Sequence, residues 1–271
     1  MAQCHGLYSF IKTEQIMKLN LSDKLQYKVR TSNGKEGKVK DFLFDEEQWY
    51  IRYLDVDMGG FFTDRRILIP ISKVEKGNWI DECFQLDIHS KELKKMPTLS
   101  DKQTVSRAYE AKLAKHFKTE EYWGRRYVPS MAPPTMGVPQ HVFQPTQNRR
   151  MSGRVIKEDD IETNLRSFKE ISGYEVFAKN GKVGHVEDLL VESKNMQIIS
   201  LVVQAKFALD YSKEIIVANT FITEISYVER GLSLSLSKGE VLDSPEFDLN
   251  QGVNEKEVIK KFDYTGKPIK S

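Results

Sequence analysis

The residues of this chain best suited to acid–base, nucleophilic or metal chemistry are five histidines and two cysteines. The histidines are His5, His89, His116, His141 and His185. No pair has the i, i+4 spacing of a helical zinc site, so a zinc site is not expected. His185 is the best candidate for proton transfer, because Glu187 and Asp188 follow it closely. Cys4 and Cys83 lie far apart, and neither has an activating partner nearby in the sequence. We interpret His185 as a strand-surface residue, and we predict no catalytic residue and no enzyme activity.

Two further motifs suggest ligand binding, but their surroundings argue against it. Asp55 and Asp57 resemble half of a calcium loop, yet the closing glutamate is missing and Arg66 stands near the place where it belongs. The segments GKEG at 34–37 and GKVG at 181–184 suggest a phosphate loop. A phosphate loop joins a strand to a helix, whereas strands are predicted on both sides here. We therefore predict no metal and no cofactor, and we expect these glycines to serve turns.

The same phrase occurs twice in the chain. It is YKVRTSNGKEGKVKDFLF at 27–44 and YEVFAKNGKVGHVEDLLV at 174–191, a constant offset of 174 − 27 = 147 residues. Asn-Gly between alternating apolar residues is typical of a hairpin with a type I′ turn, in which both turn residues have positive φ. Each copy is therefore predicted to begin with two strands joined by a tight turn.

The correspondence continues after one insertion with an offset of 215 − 67 = 148 residues. ILIP at 67–70 matches IIVA at 215–218, and Pro97 matches Pro245. Several short strands with closely spaced turns are typical of a small barrel or sandwich. Each unit is thus predicted to be a small β structure.

A helix is predicted after each of these units. Ser100–Gln103 has the pattern of a capping box, and apolar residues follow on one helical face. They are Val105, Ala108, Tyr109, Leu113 and Phe117. In the second copy Val258, Ile259 and Phe262 indicate a matching helix, so the duplicated unit is a barrel plus a helix.

NGKEGKVKDFLFD, WYIRYLDVD and RRILIPISKV of the first copy, with SGYEVFAKNGKVGHVEDLLV of the second, resemble the PRC-barrel domain. The resemblance implies a mainly β fold: two small PRC-type β-barrels from an internal duplication, with short helices in the linker and at the C-terminus. The predicted organisation is an N-terminal segment (1–23), a first barrel (24–97), a helical then proline-rich basic linker (98–160), a second barrel (161–246) and a C-terminal helical tail (247–271).

The linker is the most distinctive segment in charge. Between Thr98 and Lys157, basic residues exceed acidic ones by 11 − 4 = 7, although the whole chain carries only +2. Within it, aromatic residues alternate with arginines at 122–127, a composition suited to stacking on bases or to filling a protein pocket. The alternative is that these aromatics cover apolar seams of the barrels.

The two copies also differ at residues expected on the surface, such as Trp49 against Met196 and Tyr53 against Ser200. Such divergence indicates that the copies kept their cores and changed what they contact. The predicted partner-binding residues are Trp49, Tyr53, Tyr122, Trp123, Arg125 and Arg126.

The PRC-barrel resemblance implies binding rather than a reaction. Proteins with this barrel include the cytoplasmic domain of the photosynthetic reaction-centre H subunit and the C-terminal domain of a ribosome maturation factor. We predict a non-catalytic protein-binding or scaffolding protein with a protein partner. The alternative is an accessory factor in RNA processing or ribosome assembly, and a homodimer also stays open.

Several functional classes are not favoured by the sequence. The near balance of 41 basic and 39 acidic residues gives no global electrostatic reason for binding nucleic acid. No apolar run reaches the roughly 18 residues of a membrane span, and no signal peptide is apparent. Two cysteines provide no disulfide framework. We therefore expect a protein without a transmembrane segment, located in the bacterial cytoplasm.

Overall fold

The computed structural model describes residues 18–60, 65–75, 82–100, 104–123, 163–208, 211–244 and 246–247. We call the described residues up to 123 the first half of the chain, and those from 163 onward the second half. The described structure is mainly β, as the sequence predicts.

Strands of the first half come before its two helices. In chain order the elements are β1 (Lys18–Asn20), β2 (Lys28–Thr31), β3 (Glu36–Asp45), β4 (Tyr50–Asp57), β5 (Ile67–Pro70), β6 (Cys83–Leu86), α1 (Ser90–Lys95) and α2 (Arg107–Phe117). A 3-10 turn at Ile71–Lys73 follows β5, and another at Ser22–Lys24 follows β1.

The second half repeats this order with longer central strands. Its elements are β7 (Leu165–Ser167), α3 (Phe168–Ile171), β8 (Glu175–Ala178), β9 (Gly181–Glu192), β10 (Gln197–Ala208), β11 (Tyr211–Ala218), β12 (Ile222–Ser226), β13 (Gly231–Leu234) and α4 (Lys238–Leu242). Parallel pairing of β2 with β6 is repeated by parallel pairing of β8 with β13.

Both halves belong to one sheet. Its main path has the order β12-β13-β8-β9-β10-β4-β3-β2-β6, and β1, β5, β7 and β11 pair at the sides of that path. The path begins and ends on different strands, so the described sheet is not closed. Two separate barrels, as predicted from the sequence, are therefore not confirmed.

The first strand of each half pairs with the other half. Asn20 of β1 lies opposite Leu190 of β9, and Ser167 of β7 lies opposite Leu43 of β3. These two pairs correspond under the offset of 147 residues, so the exchange is reciprocal. Leu21, directly after β1, is fully buried. The apolar surface that each exchanged segment buries therefore stabilises the opposite half.

A buried carboxylate fixes each exchanged segment. Asp188 of β9 accepts hydrogen bonds from the backbone N–H groups of Leu21 and Ser22, both at 3.1 Å, and from the Ser22 hydroxyl. Asp41 of β3 accepts from the Lys169 N–H at 3.1 Å and from the Ser167 hydroxyl. Burial raises the pKa of both carboxyl groups, and the hydrogen bonds oppose that shift.

The two halves also meet where their central hairpins turn. The Ile51 N–H donates to the Met196 carbonyl at 2.9 Å, and the Ile198 N–H donates to the Trp49 carbonyl at 2.7 Å. Trp49 and Met196 both have positive φ, which ends one strand and starts the next. This pair of bonds joins β4 to β10 in an approximately two-fold arrangement.

The predicted hairpins β2–β3 and β8–β9 are present, but the prediction of a type I′ turn is wrong. Asn33 does not have positive φ, whereas Gly34 does. Asn33 instead accepts a hydrogen bond from the Ser90 N–H at 2.8 Å, at the start of α1, and Asn180 does the same for Lys238 in α4. The side-chain amide thus ties each turn to a helix.

Gly37 and Gly184 do not serve the turns, contrary to the sequence interpretation. Both lie inside strands, and neither has positive φ. A β-carbon on Gly37 would lie 2.5 Å from the Asp57 carbonyl oxygen, and one on Gly184 would clash with the Gln204 carbonyl oxygen. These glycines allow the close approach of neighbouring strands.

Helix α2 begins later than predicted. Ser106 is its N-cap and accepts a hydrogen bond from the Tyr109 N–H at 3.2 Å, whereas Ser100 pairs with Arg65. The predicted capping box is therefore wrong. The predicted apolar face is confirmed, because Tyr109, Leu113 and Phe117 are buried.

The core runs through both halves. One large apolar cluster contains residues of almost every element, and a second, small cluster contains Leu190, Val202, Ile216 and Phe247. Within the described ranges, none of the helices has the length and apolar character needed to span a bilayer.

Replacement of Asp188 by alanine should lower the free energy of unfolding by about 2–4 kcal/mol, since the buried Leu21 N–H and the part-buried Ser22 N–H lose an acceptor. Urea denaturation measures this loss, and hydrogen exchange should increase at residues 18–24.

Asp57→Ala is the control, because Asp57 is exposed and its side chain accepts a hydrogen bond from the nearby Gly59 N–H. Equal losses in the two variants would contradict the proposed role of Asp188.

Candidate functional site

An open cleft lies on the first half, between α2, the β3–β4 turn and the 3-10 turn after β5. Its volume is ≈ 570 Å³. Polar and charged side chains line it, among them Gln48, Arg52, Lys73, Lys118, Glu121 and Tyr122. Lys118 has positive φ and caps the end of α2, so the chain turns there toward Tyr122. The cleft thus combines basic, acidic and aromatic groups.

Arg52 reaches this side of the sheet because of an irregularity in strand pairing. Tyr53 pairs with Leu43 and Ile51 with Phe44, so the register skips Arg52. In a β-bulge of this kind the extra residue re-aims its side chain, and Arg52 lies near Tyr122 on the side where Tyr53 contacts α2. The Arg52 guanidinium donates to Asp45 at 3.1 Å and to Gln48 at 2.6 Å.

Tyr122 lies between two arginines. The Arg52 guanidinium carbon is 4.1 Å from the centre of the Tyr122 ring, and that of Arg107 is 5.6 Å from it. Trp123 packs edge-on against Tyr122, with ring centres 4.9 Å apart, and lies under Arg107 at 4.6 Å. Cation–π contacts of this type stabilise partly buried aromatic residues by about 0.5–2 kcal/mol each.

Beneath these rings lies Glu110, a fully buried acid. Its carboxylate accepts hydrogen bonds from the Tyr122 hydroxyl at 2.6 Å and from the Arg107 guanidinium at 3.0 Å, and Tyr53 hydrogen-bonds to it as well. Burial raises the pKa of Glu110 to about 7, and these hydrogen bonds together with the charge of Arg107 oppose the shift. Burial likewise raises the pKa of Tyr53 and of Tyr122.

A carboxyl group with this pKa could transfer protons near neutral pH. Glu110 is 0% exposed, however, and both of its oxygens are bonded within the chain. The network therefore anchors α2, and Tyr122 after it, to the strands of the first half.

The structure brings together three of the predicted partner-binding residues at this site. Tyr122 and Trp123 are half-buried on its surface, whereas Tyr53 is 4% exposed and its contacts are internal. Trp49 is half-buried at the junction of the halves and stacks on Phe44 at 5.5 Å. Of the linker aromatics, Tyr122 packs against the main apolar cluster, which fits the alternative that these aromatics cover apolar seams. Arg125 and Arg126 lie outside the described residues.

Other candidates from the sequence lie elsewhere. His185 is on β9, with its side chain 38% exposed and 3.4 Å from Glu187. Asp55 forms an ion pair with Arg66 at 2.9 Å, so an arginine lies where the calcium-loop interpretation would place a metal ion. In the described ranges, no three residues of the metal-ligating types are grouped closely enough to hold an ion.

Glu110 and Arg107 were missed by sequence reasoning. A signal for Glu110 was present, since it falls on the buried stripe of α2 with Leu113 and Ala114 at i+3 and i+4. An acid on an apolar helical face indicates either a partner group beneath it or an error in the predicted face. Arg107 gave no such signal, because it begins the helix, where polar residues are common.

Comparison with known families assigns part of the first half. Residues 18–83 match the PRC-barrel domain. The PRC-barrel match extends from β1 to the first residue of β6, well under half of the chain. It includes β1, which pairs with β9, so the matched segment is not self-contained in this structure. Comparison with curated proteins finds no match to this chain.

The raised pKa of Glu110 makes stability depend on pH. In the unfolded chain the group ionises near pH 4.5, whereas the folded chain holds its proton up to about pH 7. The contribution of this group to stability is therefore complete below pH 4.5 and is lost as the pH rises to about 7. Glu110→Gln should lack this loss, which amounts to about 3 kcal/mol.

Urea denaturation of the wild type and of Glu110→Gln at pH 5 and pH 8 tests this. Glu121→Gln is the matched control, because Glu121 borders the same cleft but is exposed. A pH dependence in Glu110→Gln equal to that of the wild type would contradict the role given to burial.

Proposed function

We propose that this protein is a non-catalytic binding module made of two PRC-type units that arose by duplication, at residues 24–97 and 161–246. Backbone details repeated between the halves support this. Gln26 and Gly173 both have positive φ, and each donates its N–H to a valine one strand away, Val39 and Val186. Correspondence at this level extends well beyond the PRC-barrel match.

The cleft beside Tyr122 carries the proposal, because the two halves differ there in the side chains that they present. Arg52 and Tyr53 of the first half correspond to Ile199 and Ser200 in the second. Lys73 likewise corresponds to Phe221, which is buried. Both halves keep the same arrangement of strands, and one of them adds polar side chains at this place. We expect such a pattern for a binding surface that has specialised in one copy.

Tyrosine, tryptophan and arginine are enriched at the energetically important positions of protein interfaces. Tyr122, Trp123 and Arg107 form such a group, and Trp123 is partly exposed. Lys118 at the rim, together with the net positive charge of the linker, favours an acidic partner. We therefore propose a protein with an acidic segment as the partner.

Binding of RNA is less well supported by the contacts. Stacking on bases requires accessible rings and free cations. Arg52 is bonded to Asp45 and Gln48, and Arg107 to Glu110. Nitrogens of both arginines are thus engaged within the chain, which limits their contacts to bases and supports a protein partner over a nucleic acid.

The test is affinity capture of the tagged protein from its native host at low and moderate salt, with and without nuclease. A partner that survives nuclease should be retained by the wild type and lost about tenfold or more in Trp123→Ala and in Lys118→Glu. The purified partner should then show the same ranking of affinities by titration calorimetry.

Lys194→Glu is the control. Lys194 is exposed and lies in the β9–β10 turn, which corresponds in the second half to the β3–β4 turn beside the cleft. Equal binding by all variants would contradict a role for the cleft. Recovery of RNA or ribosomal subunits, lost on nuclease treatment and in an Arg125→Ala, Arg126→Ala double variant, would favour the assembly-factor alternative.

A further inference from the structure

The outward surface of β2 and β3 carries two lysines that face each other. Lys28 of β2 lies opposite Lys38 of β3, and both side chains are exposed. Within the described ranges neither lysine forms an ion pair, whereas the neighbouring Arg30 is bound to Glu36 at 2.6 Å. Like charges at opposite positions of two strands destabilise a sheet. This part of the first half therefore carries an excess of positive charge.

Lys40 extends this positive surface along β3. The β3–β4 pairing skips Lys40 between Val39 and Asp41, and its side chain is half-buried. Asp57 of β4 lies opposite Lys38 and offsets part of the charge. We call Lys28, Lys38 and Lys40 the basic face of the first half.

The second half has a different charge at the same places. Glu175 of β8 lies opposite His185 of β9, which repeats the opposed pair of the first half. The bulge is repeated as well, because the β9–β10 pairing skips Glu187. Under the offset of 147 residues, Lys28, Lys38 and Lys40 correspond to Glu175, His185 and Glu187.

A third acid lies beside these residues in the second half. Burial and the charge of Glu187 both raise the pKa of Glu214 in β11, so these two carboxyl groups are near each other. We call Glu175, Glu187 and Glu214 the acidic face of the second half. The side chains of Glu175 and Glu187 are 46% and 49% exposed. Lys182, bound to Glu175, and His185, 3.4 Å from Glu187, offset part of this charge.

The fold does not require this reversal of charge. Strand pairing at these places is the same in both halves, and the inward residue before each bulge is a fully buried valine, Val39 or Val186. The exposed charges are thus what differs. Each face sets like charges near one another, which costs stability in a single chain. That repulsion is relieved when a surface of opposite sign covers the face.

The two faces cannot meet within one chain. Strands β10 and β4 lie between β9 and β3 in the sheet, which separates the faces by about 14 Å at the usual strand spacing. Both halves are held in that sheet, so the separation is fixed. A second copy of the chain, in contrast, supplies the opposite charge for each face.

We propose that copies of this chain associate with one another, the basic face of one copy lying against the acidic face of another. Each copy provides one face of each sign, so two copies can form two equivalent contacts. The groups involved are exposed charges, and the association should therefore be weak and sensitive to salt. None of these residues lines the cleft beside Tyr122, so the contact is separate from the binding surface proposed above.

The test is analytical ultracentrifugation of the full-length chain over a range of protein concentrations. At about 50 mM salt the mass should rise above that of one chain, and about 500 mM salt should weaken the association about tenfold or more. A variant with Lys28→Gln and Lys38→Gln loses the basic face, and one with Glu175→Gln and Glu187→Gln loses the acidic face. Each variant alone should stay a single chain.

An equal mixture of the two variants restores one contact. It should form pairs with one chain of each kind, more weakly than the wild type does but about tenfold more strongly than either variant alone. The matched control is Lys169→Gln with Lys194→Gln, because these lysines are exposed on other elements and the change in net charge is the same. The control should associate like the wild type.

Three results would overturn the proposal. The first is a wild type that stays a single chain at low salt. The second is equal association of the control and the variant without the basic face, which would make net charge the cause. The third is a mixture that associates no better than its components, because the contact would then not join faces of opposite sign.

Discussion

The folded chain depends on a reciprocal exchange in which each half supplies the first strand of the other. Asp41 and Asp188, both buried, hold the exchanged segments by accepting hydrogen bonds from backbone N–H groups. Leu21 and Phe168 then complete the core of the opposite half. Neither half can therefore form its full sheet without the other, and the central contact between Trp49 and Met196 follows from this arrangement.

Local patterns in the sequence predicted the elements of each half well. Alternation of apolar residues and Asn-Gly gave the hairpins β2–β3 and β8–β9, because strand faces and turns are determined by neighbours in the chain. The exchange could not be predicted in this way. An offset of 147 shows that Ser167 and Asn20 are equivalent, but equivalence does not say which copy of the sheet receives either strand, since both copies offer the same register.

The alternation of aromatic residues and arginines near Tyr122 and Trp123 indicated where the site lies. The hydrogen bonds and burial of the site depend on tertiary contacts, which the sequence pattern does not show. The side of the sheet on which Arg52 lies depends on a skipped residue in the β3–β4 pairing, and no residue type marks that irregularity in advance. The pKa of Glu110 is raised because α2 packs on the strands and thereby buries this carboxyl group beside Tyr53. Sequence reasoning therefore found the aromatic rim of the site and missed the acid beneath it.

The strand exchange has a consequence for how the chain could be divided. A cut after Trp123 and before Thr163 removes no strand from the described sheet, yet each fragment would keep a strand that belongs to the other. The two fragments would thus be obligate complements, like the subunits of an intertwined heterodimer. One gene encoding the whole chain, or two genes encoding its halves, would specify the same described sheet. In the single chain, the covalent link between the halves sets the effective concentration of each half near the other.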